Sequence, residues 1–436
     1  MPTIRPFAGV RYAKKFGPDT SKLIAPPYDV LSDRAKAALV ARHPNNVVTV
    51  DLPHLPAKSV GPDEAYEKAN TTFQAWLSTG VLERDRRAAL YPYTQSYEHN
   101  GRTYHRRGMI CLVRLSPFGE GQVFPHEQTY PDAIQDRLKL TRATGHQLSP
   151  IFGIFSDPRH EVNNLLYANL GKPEQTATID GVRNDVWSVI DAETEDKVIN
   201  AIGRKPIYIA DGHHRYTMAL AYQKEQVERN GGQPLPPNHP ANFCMFVLVH
   251  MQDDGLIVLP THRLVGGLAG FHVDTFRDLL GTRWDVRACN LDPDRIPQYV
   301  NQTLPMAAAN TFGLFDGRTR QLYEVICRDP DVLKPYEPAR SDAWRRLDVA
   351  ILQRYLIDEV LKPKFAGGRD PSKAYTADPY EVAPTTDGER FQVAFLLKST
   401  PLGALEQLSR HNEIMPPKST FFYPKLATGM VMYPVR

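Results

Sequence analysis

Cysteine is scarce in this sequence, and the few cysteines present stand far apart. The four are Cys111, Cys244, Cys289 and Cys327, so no two lie at the short spacing of a zinc ribbon or a redox pair. Isolated cysteines of this kind are typical of reduced, mostly buried thiols in proteins of the cytoplasm. We therefore expect a cytoplasmic location, with neither a zinc ribbon nor a redox pair of cysteines.

The sequence also lacks long apolar runs and a strong charge of either sign. No stretch approaches the length of a membrane span, and the first residues lack the apolar core of a signal peptide. The net charge of +3 is too small to indicate binding to nucleic acid or to an acidic membrane surface. We expect a small-molecule partner, with no nucleic acid and no membrane, and the sequence leaves the oligomeric state open.

Several signatures of well-known enzyme classes are missing as well. The chain contains no H-E-x-x-H, no G-x-S-x-G, no G-x-G-x-x-G and no protein-kinase signature set. The run at Lys418 resembles the end of a P-loop, but the glycines that should precede it are absent, which excludes a true P-loop. The enzyme classes that depend on these motifs are therefore set aside.

Proline, in contrast, is abundant in an otherwise ordinary globular composition. The 436 residues include 37 prolines, with 42% hydrophobic and 23% charged residues. This composition indicates stiff loops around an irregular α/β (α+β) core. The pattern of elements predicts three segments: a core at 1–265, an inserted α/β subdomain at 266–345, and a C-terminal helix and strands returning to the core at 346–436.

One stretch joins a predicted strand to a predicted helix through chemically active residues. Ile207 and Ile209 alternate as in a strand, and helical spacing begins at Tyr216. The first N–H groups of a helix lack intrahelical partners and favour an anion, especially a phosphate. The two histidines are adjacent and point in different directions, so they are not expected to share a metal, and any metal stays unknown. The residues between strand and helix are Asp211, Gly212, His213, His214 and Arg215.

Four other proline-stiffened segments carry polar side chains. Three of these segments also have an explanation that involves no functional role. Asp29 could lie in a simple strand-to-helix connection, Glu127 could be a solvated or helix-capping carboxylate, and Lys418 could be an exposed lysine. In the functional alternative, Glu127 is a general base or a metal-binding carboxylate opposite the Asp211 turn. The residues concerned are Asp29; Glu127; Thr261, His262 and Arg263; and Lys418, Ser419 and Thr420, followed by a second lysine at Lys425.

Two local predictions bear on the fold. Residues 47–52 alternate as in a strand, and Asn100-Gly101 predicts a tight hairpin turn between two further strands. The second strand of this hairpin carries Arg106 and Arg107, and we expect both to be solvated.

The order of these segments resembles a widespread prokaryotic family designated by the number ten-fifteen among domains of unknown function. Its Asp-Gly-His-His-Arg turn is similar to the phosphate-binding turn of the ParB and sulfiredoxin superfamily, which includes free L-serine kinases. The resemblance implies a ParB/sulfiredoxin-like nucleotide-binding core elaborated with mixed β-sheet. The segments that carry it are APPYDV at 25–30, FPHEQT at 124–129, DRLKLTRAT at 136–144, SPIFG at 149–153, IADGHHRY at 209–216, LPTHR at 259–263 and MPPKSTFFYPK at 415–425.

The resemblance implies a nucleotide-dependent phosphotransferase acting on a small hydroxyl-bearing metabolite, with free L-serine as the best single candidate. ATP or ADP would be the donor, with Mg²⁺ on the phosphate oxygens. Two other functions stay open: a nucleotide-binding regulator like the partition proteins, and a hydrolase or lyase that uses a histidine as general base. The implied catalytic residues are Glu127, Asp211 and His214; the nucleotide would be held by Gly212, His213, Arg215, Lys418, Ser419 and Thr420; and the substrate by Asp29, Thr261, His262 and Arg263.

Overall fold

The computed structural model describes residues 4–203 and 205–436, which form two compact units. The first unit takes the chain up to Ile257 together with Pro424–Arg436, and the second is Val258–Tyr423. This division differs from the three predicted segments. The second unit continues well past residue 345, and only Pro424–Arg436 rejoins the first unit.

A mixed sheet, nine-stranded within the described residues, forms the centre of the first unit. Two of its strand pairs are parallel, and the other pairs are antiparallel. The strand order is Val123–Phe124, Ile207–Asp211, Ile151–Phe155, Phe243–His250, Arg102–Arg114, Tyr91–His99, Val182–Val186 and Gln175–Ile179, with Ile4–Arg5 paired to Arg102–Arg114. This observation agrees with the mixed α/β fold expected from the sequence.

The Asn100-Gly101 hairpin is confirmed. Tyr91–His99 and Arg102–Arg114 pair antiparallel, and both turn residues have positive φ, 50° for Asn100 and 73° for Gly101. Two consecutive left-handed residues match the right-handed twist of a strand pair, and asparagine and glycine are the residues that accept this conformation. The turn therefore fixes which residues face each other across the pair, including Gln95 and Arg106.

Helices cover the sheet and complete the core of the first unit. Val162, Val198 and Tyr216 come from three different helices and pack into one buried cluster with the strands. No helix among the described residues is both long and apolar enough to cross a membrane. The α-helices of this unit are Asp33–Arg42, Val48–Asp51, Asp63–Ser78, Pro131–Thr144, Glu161–Tyr167, Ala192–Ile202 and His213–Arg229, with 3-10 turns at Lys14–Phe16, Tyr28–Val30 and Pro240–Asn242. Two short strand pairs, Val10–Tyr12 with Leu82–Arg84 and His146–Gln147 with Tyr433–Pro434, lie beside them.

The strand predicted at residues 47–52 is wrong. The structure has a short helix there, Val48–Asp51, which follows the fully buried Asn46. The Asn46 side chain accepts a hydrogen bond from the Val48 N–H at 3.0 Å and donates to the Ile24 carbonyl at 2.9 Å. An asparagine that bonds the backbone two residues ahead favours a turn over a strand. This local bond overrides the strand propensity of the valines.

The second unit has a six-stranded antiparallel sheet within the described residues. Its strand order is Trp284–Cys289, Gln321–Cys327, Thr311–Asp316, Val393–Leu396, His262–Gly266 and Ser372–Thr376. Its helices are Val273–Leu280, Ile296–Gln298, Tyr299–Thr303, Asp342–Arg345, Asp348–Ala350, Ile351–Leu361, Lys362–Phe365, Val382–Thr385 and Leu402–Ser409, with 3-10 turns at Gly281–Arg283, Pro293–Arg295, Leu304–Met306 and Pro379–Glu381. A further short pair joins Ile257–Leu259 and Phe421–Tyr423.

Candidate functional site

The strand, turn and helix predicted around Asp211 are all present. The strand Ile207–Asp211 ends at Gly212, and the helix His213–Arg229 begins directly after it. Gly212 has a φ of 95°, and a Cβ built there would lie 3.0 Å from the guanidinium of Arg215. Glycine is therefore required at this position for two reasons, the positive φ of the backbone and the close approach of Arg215. The helix points its N-terminal N–H groups, which have no intrahelical partners, toward this turn.

Asp211 is held as a carboxylate by two cations. Its Oδ2 lies 3.4 Å from Nζ of Lys425 and 3.7 Å from Nη2 of Arg215, and its Oδ1 accepts a hydrogen bond from the Gly212 N–H at 3.0 Å. Burial by itself would raise the pKa of Asp211, but Lys425 and Arg215 bring the pKa of this carboxyl below its usual range. Asp211 therefore stays ionised at neutral pH and is a weak acceptor of protons.

His213 connects the helix His213–Arg229 to the segment that carries Glu127. The backbone N–H of His126 donates to Nε2 of His213 at 3.2 Å, and the two rings meet edge to face at 4.6 Å. His126 in turn bonds the carbonyl of Ile209 through Nδ1 at 2.7 Å. Burial lowers the pKa of His213, as does the neighbouring His126, so that His213 is neutral and can accept this bond.

His214 lies where several polar segments of the first unit meet. Its ring stacks on Tyr130 at 5.8 Å, and its Nε2 is shielded from solvent with no hydrogen-bond partner among the described residues. Burial lowers the pKa of His214 and nearby Lys58 lowers it further, while the carboxylates of Asp29 and Glu127 oppose this shift. His214 is therefore a neutral imidazole at pH 7 with two carboxylates close enough to influence it.

Asp29 is paired with a lysine that the sequence did not single out. Oδ2 of Asp29 lies 3.3 Å from Nζ of Lys58, and both side chains are partly exposed. Lys58 has a φ of 66°, so its backbone adopts a conformation that is uncommon for a lysine. The sequence offered only a weak signal for Lys58, a lysine in a proline-containing loop.

A buried ionic cluster supports the segment that carries Asp29. Nη2 of Arg137 lies 2.8 Å from Oδ2 of Asp136, its Nη1 lies 3.3 Å from Oδ1 of Asp51, and its guanidinium covers the ring of Tyr28 at 3.9 Å. Tyr28 directly precedes Asp29 in the chain, so the stacked Arg137 restrains it. Burial lowers the pKa of Arg137, but Asp136 and Asp51 more than offset this effect and raise it, so the cation persists.

The same cluster reaches the loop that carries Lys58. Oδ1 of Asp136 lies 2.8 Å from both Nε2 of His54 and the hydroxyl of Tyr66. A small cavity of about 20 Å³, large enough for one water molecule, lies between this cluster and the helix His213–Arg229. Arg137 and Arg215 form part of its lining. The helix Pro131–Thr144 thus connects the Asp29 and Lys58 segments to the Asp211 turn.

Six of the predicted site residues lie in the second unit. His262 is fully buried there, and its Nδ1 accepts a hydrogen bond from the Leu397 N–H at 3.2 Å. Arg263 is also buried, and it donates to the carbonyls of Thr261 and Lys418 at 2.9 and 3.2 Å. These contacts place Arg263 against the backbone of the predicted Lys418–Thr420 loop. Roles in nucleotide or substrate binding stay predictions for Thr261, His262, Arg263, Lys418, Ser419 and Thr420.

The first unit itself brings the remaining predicted residues into one neighbourhood: Asp29, Glu127, Asp211, Gly212, His213, His214 and Arg215. It also adds Lys425, because the unit boundary falls between Tyr423 and Pro424 and separates this lysine from Lys418. Arg137 and Asp51 were missed by the sequence prediction. Asp51 lies in the segment predicted as a strand, and burial of an ion pair leaves no periodic signal in a sequence.

No group of three or more His, Cys, Asp or Glu side chains among the residues that the structure describes is placed to hold a metal ion. A Mg²⁺ ion at this site would therefore have to rely mainly on phosphate oxygens and water, as Mg²⁺ commonly does. Asp211 directly precedes Gly212 at the helix start, and its two cationic neighbours would compete with a metal ion for its carboxylate.

A family model described as "Protein of unknown function (DUF1015)" matches residues 4–350, whereas no curated protein matches the sequence. A free serine kinase in complex with AMP aligns over 71% of this chain and 86% of its own, with 11% identity and a TM-score of 0.32. SbnI from Staphylococcus aureus, truncated at its C-terminus, aligns over 75% and 87%, with 11% identity and a TM-score of 0.35. A conserved hypothetical protein from Pyrococcus furiosus aligns over 73% and 93%, with 14% identity and a TM-score of 0.32. Similarities this low do not assign an activity.

Proposed function

Because the chain belongs to the DUF1015 family, whose description assigns no function, we propose a function from the site itself: nucleotide-dependent transfer of a phosphoryl group to a small hydroxyl-bearing metabolite. Free L-serine is the first substrate to test. The observation that carries the proposal is the Asp211–Arg215 turn, where a helix start, a glycine with positive φ, an arginine and Lys425 converge.

The phosphate end of this site suits a nucleotide di- or triphosphate. The first N–H groups of the helix His213–Arg229 and its dipole favour an anion, and Arg215 and Lys425 add charge-assisted donors. Gly212 lacks a side chain, which lets the Arg215 guanidinium lie directly against the turn at the helix start. Phosphoryl transfer depends mainly on positioning and on charge neutralisation, and these groups supply both.

The hydroxyl end of the site has two candidate proton acceptors, His214 and Glu127. Asp211 is less suited to this role because Lys425 and Arg215 keep its pKa low. His214 is neutral at pH 7 and its Nε2 has no hydrogen-bond partner among the described residues, so it can take a proton from a substrate hydroxyl. As it does so, the hydroxyl oxygen forms its bond to phosphorus and the bond from phosphorus to the leaving nucleotide oxygen breaks. Glu127 and Asp29 would stabilise the imidazolium that results.

The decisive experiment is a product assay with the purified protein, Mg²⁺, L-serine and either ATP or ADP labelled on the terminal phosphate. We expect labelled phosphoserine, a large loss of turnover in His214→Gln, on the order of 100-fold or more for a general base, and unchanged turnover in the matched control His105→Gln on an exposed strand position. If neither donor gives product and neither nucleotide raises the melting temperature, the proposal is wrong. Nucleotide binding without transfer to any hydroxyl acceptor would instead favour a regulatory protein.

A further inference from the structure

The segment that carries Lys425 is bound to the sheet of the first unit by two side chains. Nε2 of Gln95 donates to the carbonyl of Lys425 at 3.0 Å, and Nη2 of Arg106 donates to the carbonyl of Pro424 at 2.6 Å. Further along, Thr428 and Ala25 exchange backbone hydrogen bonds of 2.8 and 3.2 Å. The backbone of Lys425 therefore cannot shift without breaking bonds from the sheet.

Gln95 and Arg106 act as a pair. They face each other across the Tyr91–His99 and Arg102–Arg114 strands, each is only 1% exposed, and the side-chain oxygen of Gln95 also accepts a hydrogen bond from Arg106. The guanidinium of Arg106 covers the ring of Phe152 at 4.6 Å. The expectation that Arg106 is solvated is therefore wrong, because the returning segment at Pro424 covers it.

Burying this arginine is costly for the protein. Burial lowers the pKa of Arg106 to about 10, so the side chain still carries its charge at neutral pH. A buried charge is expensive even when it is hydrogen-bonded, and apolar side chains of similar size often stabilise a core as well or better. Stability alone therefore does not account for an arginine here. The segment that Arg106 binds carries the lysine that faces Asp211, and this suggests a reason.

We propose that Gln95 and Arg106 are positioning residues, which hold the backbone of Pro424 and Lys425 so that the Lys425 amine meets Asp211 at the helix start. The link from this geometry to phosphate binding rests on the proposed function, whereas the link from Arg106 to the Lys425–Asp211 contact does not. The two parts can therefore be tested separately.

The first test measures ADP and ATP affinity by calorimetry. Arg106→Gln is expected to weaken nucleotide binding about as much as Lys425→Met, by about tenfold for one charge-assisted contact. The double variant should bind no more weakly than Lys425→Met alone, because both changes remove the same contact. Arg107→Gln is the matched control, since Arg107 is the next residue of the same strand and its side chain is 46% exposed.

A purely structural role predicts another outcome. Arg106→Gln would then lower the melting temperature and leave nucleotide affinity unchanged, which would overturn the proposal. If Arg106→Gln does not fold, Gln95→Ala takes its place in both measurements, because Gln95 binds the carbonyl of Lys425 directly.

The second test needs no nucleotide. Urea unfolding of Lys425→Met, of Asp211→Asn and of their double variant gives the coupling between the two residues. The coupling free energy between Lys425 and Asp211 should be measurable in the wild-type background. It should be lost when the same variants are made in the Gln95→Ala or Arg106→Gln background. If it is lost but no nucleotide binds the wild type, the proposed function fails and the positioning role stands. If the coupling survives in Gln95→Ala and Arg106→Gln, the positioning role fails whatever the protein binds.

Discussion

At the scale of single residues, the candidate site depends on charges that are partly or fully removed from water. Asp211 keeps its negative charge because Lys425 and Arg215 lie beside it, and His214 keeps a neutral ring because burial opposes its protonation. The sequence predicted that Asp211 and His214 belong to a site. It could not predict their ionisation states, which depend on residues distant in the chain.

Lys425→Met tests the charge balance at Asp211. Without the lysine, burial dominates, so the pKa of Asp211 should rise and nucleotide affinity should fall about tenfold or more. The pKa can be followed by NMR of carboxyl-labelled aspartate and the affinity by calorimetry. Lys224→Met removes the same charge from an exposed position on the helix and should change neither quantity. An unchanged pKa for Asp211 would contradict the assigned pairing.

Arg137→Met tests the buried cluster below Asp29. The change leaves Asp51 and Asp136 buried without their cation, and breaking a buried pair in this way costs about 3–5 kcal/mol of unfolding free energy. Urea denaturation measures the loss. Lys139→Met, which removes an ion pair with the largely exposed Asp63, should cost below about 1 kcal/mol. Equal losses in the two variants would show that the cluster has no special role.

At the scale of elements, the sequence was most successful where the pattern is local. The strand at Ile207, the helix after Gly212 and the Asn100-Gly101 hairpin are set by alternation, helical spacing and residues that accept positive φ. The strand predicted at residues 47–52 was wrong, because the buried Asn46 side chain bonds the backbone and stabilises the helical turn Val48–Asp51.

Gly212→Ala tests the start of the helix. An alanine here must adopt a φ near 95° and place its Cβ 3.0 Å from the Arg215 guanidinium, so we expect a loss of about 1–2 kcal/mol and weaker nucleotide binding. Gly232→Ala is a control for the backbone effect, since Gly232 has a φ of 77° but its Cβ would meet no atom within 4 Å. Both variants should lose stability by thermal unfolding, and only Gly212→Ala should lose affinity.

At the scale of the whole molecule, each of the two units holds at least one histidine that burial keeps in its neutral form. Burial lowers the pKa of His146 in the first unit to about 4 and that of His262 in the second unit to about 3. In the unfolded chain a histidine titrates near its ordinary pKa of about 6.5. Between these values the unfolded state binds more protons than the folded state, so the free energy of unfolding decreases as the pH falls from about 6.5 toward 4.

Urea unfolding at about pH 7 and about pH 5 should therefore show a lower midpoint at the lower pH, with about 1 kcal/mol lost per pH unit for each histidine of this kind. His146→Gln removes one such histidine and should reduce the slope, with His105→Gln at an exposed position as the matched control. Equal midpoints at the two pH values would contradict the buried neutral state.

The sequence by itself determined the local features. These are a glycine that permits the sharp turn from strand to helix, a helix start suited to an anion, and proline-stiffened segments that carry polar side chains. These follow from interactions within a few residues. Tertiary structure alone decided which pieces meet. It placed Lys425 beside Asp211, paired Lys58 with Asp29, and buried Arg106 and Arg137. Such contacts join residues far apart in the chain, and their energies depend on desolvation, which no local pattern records.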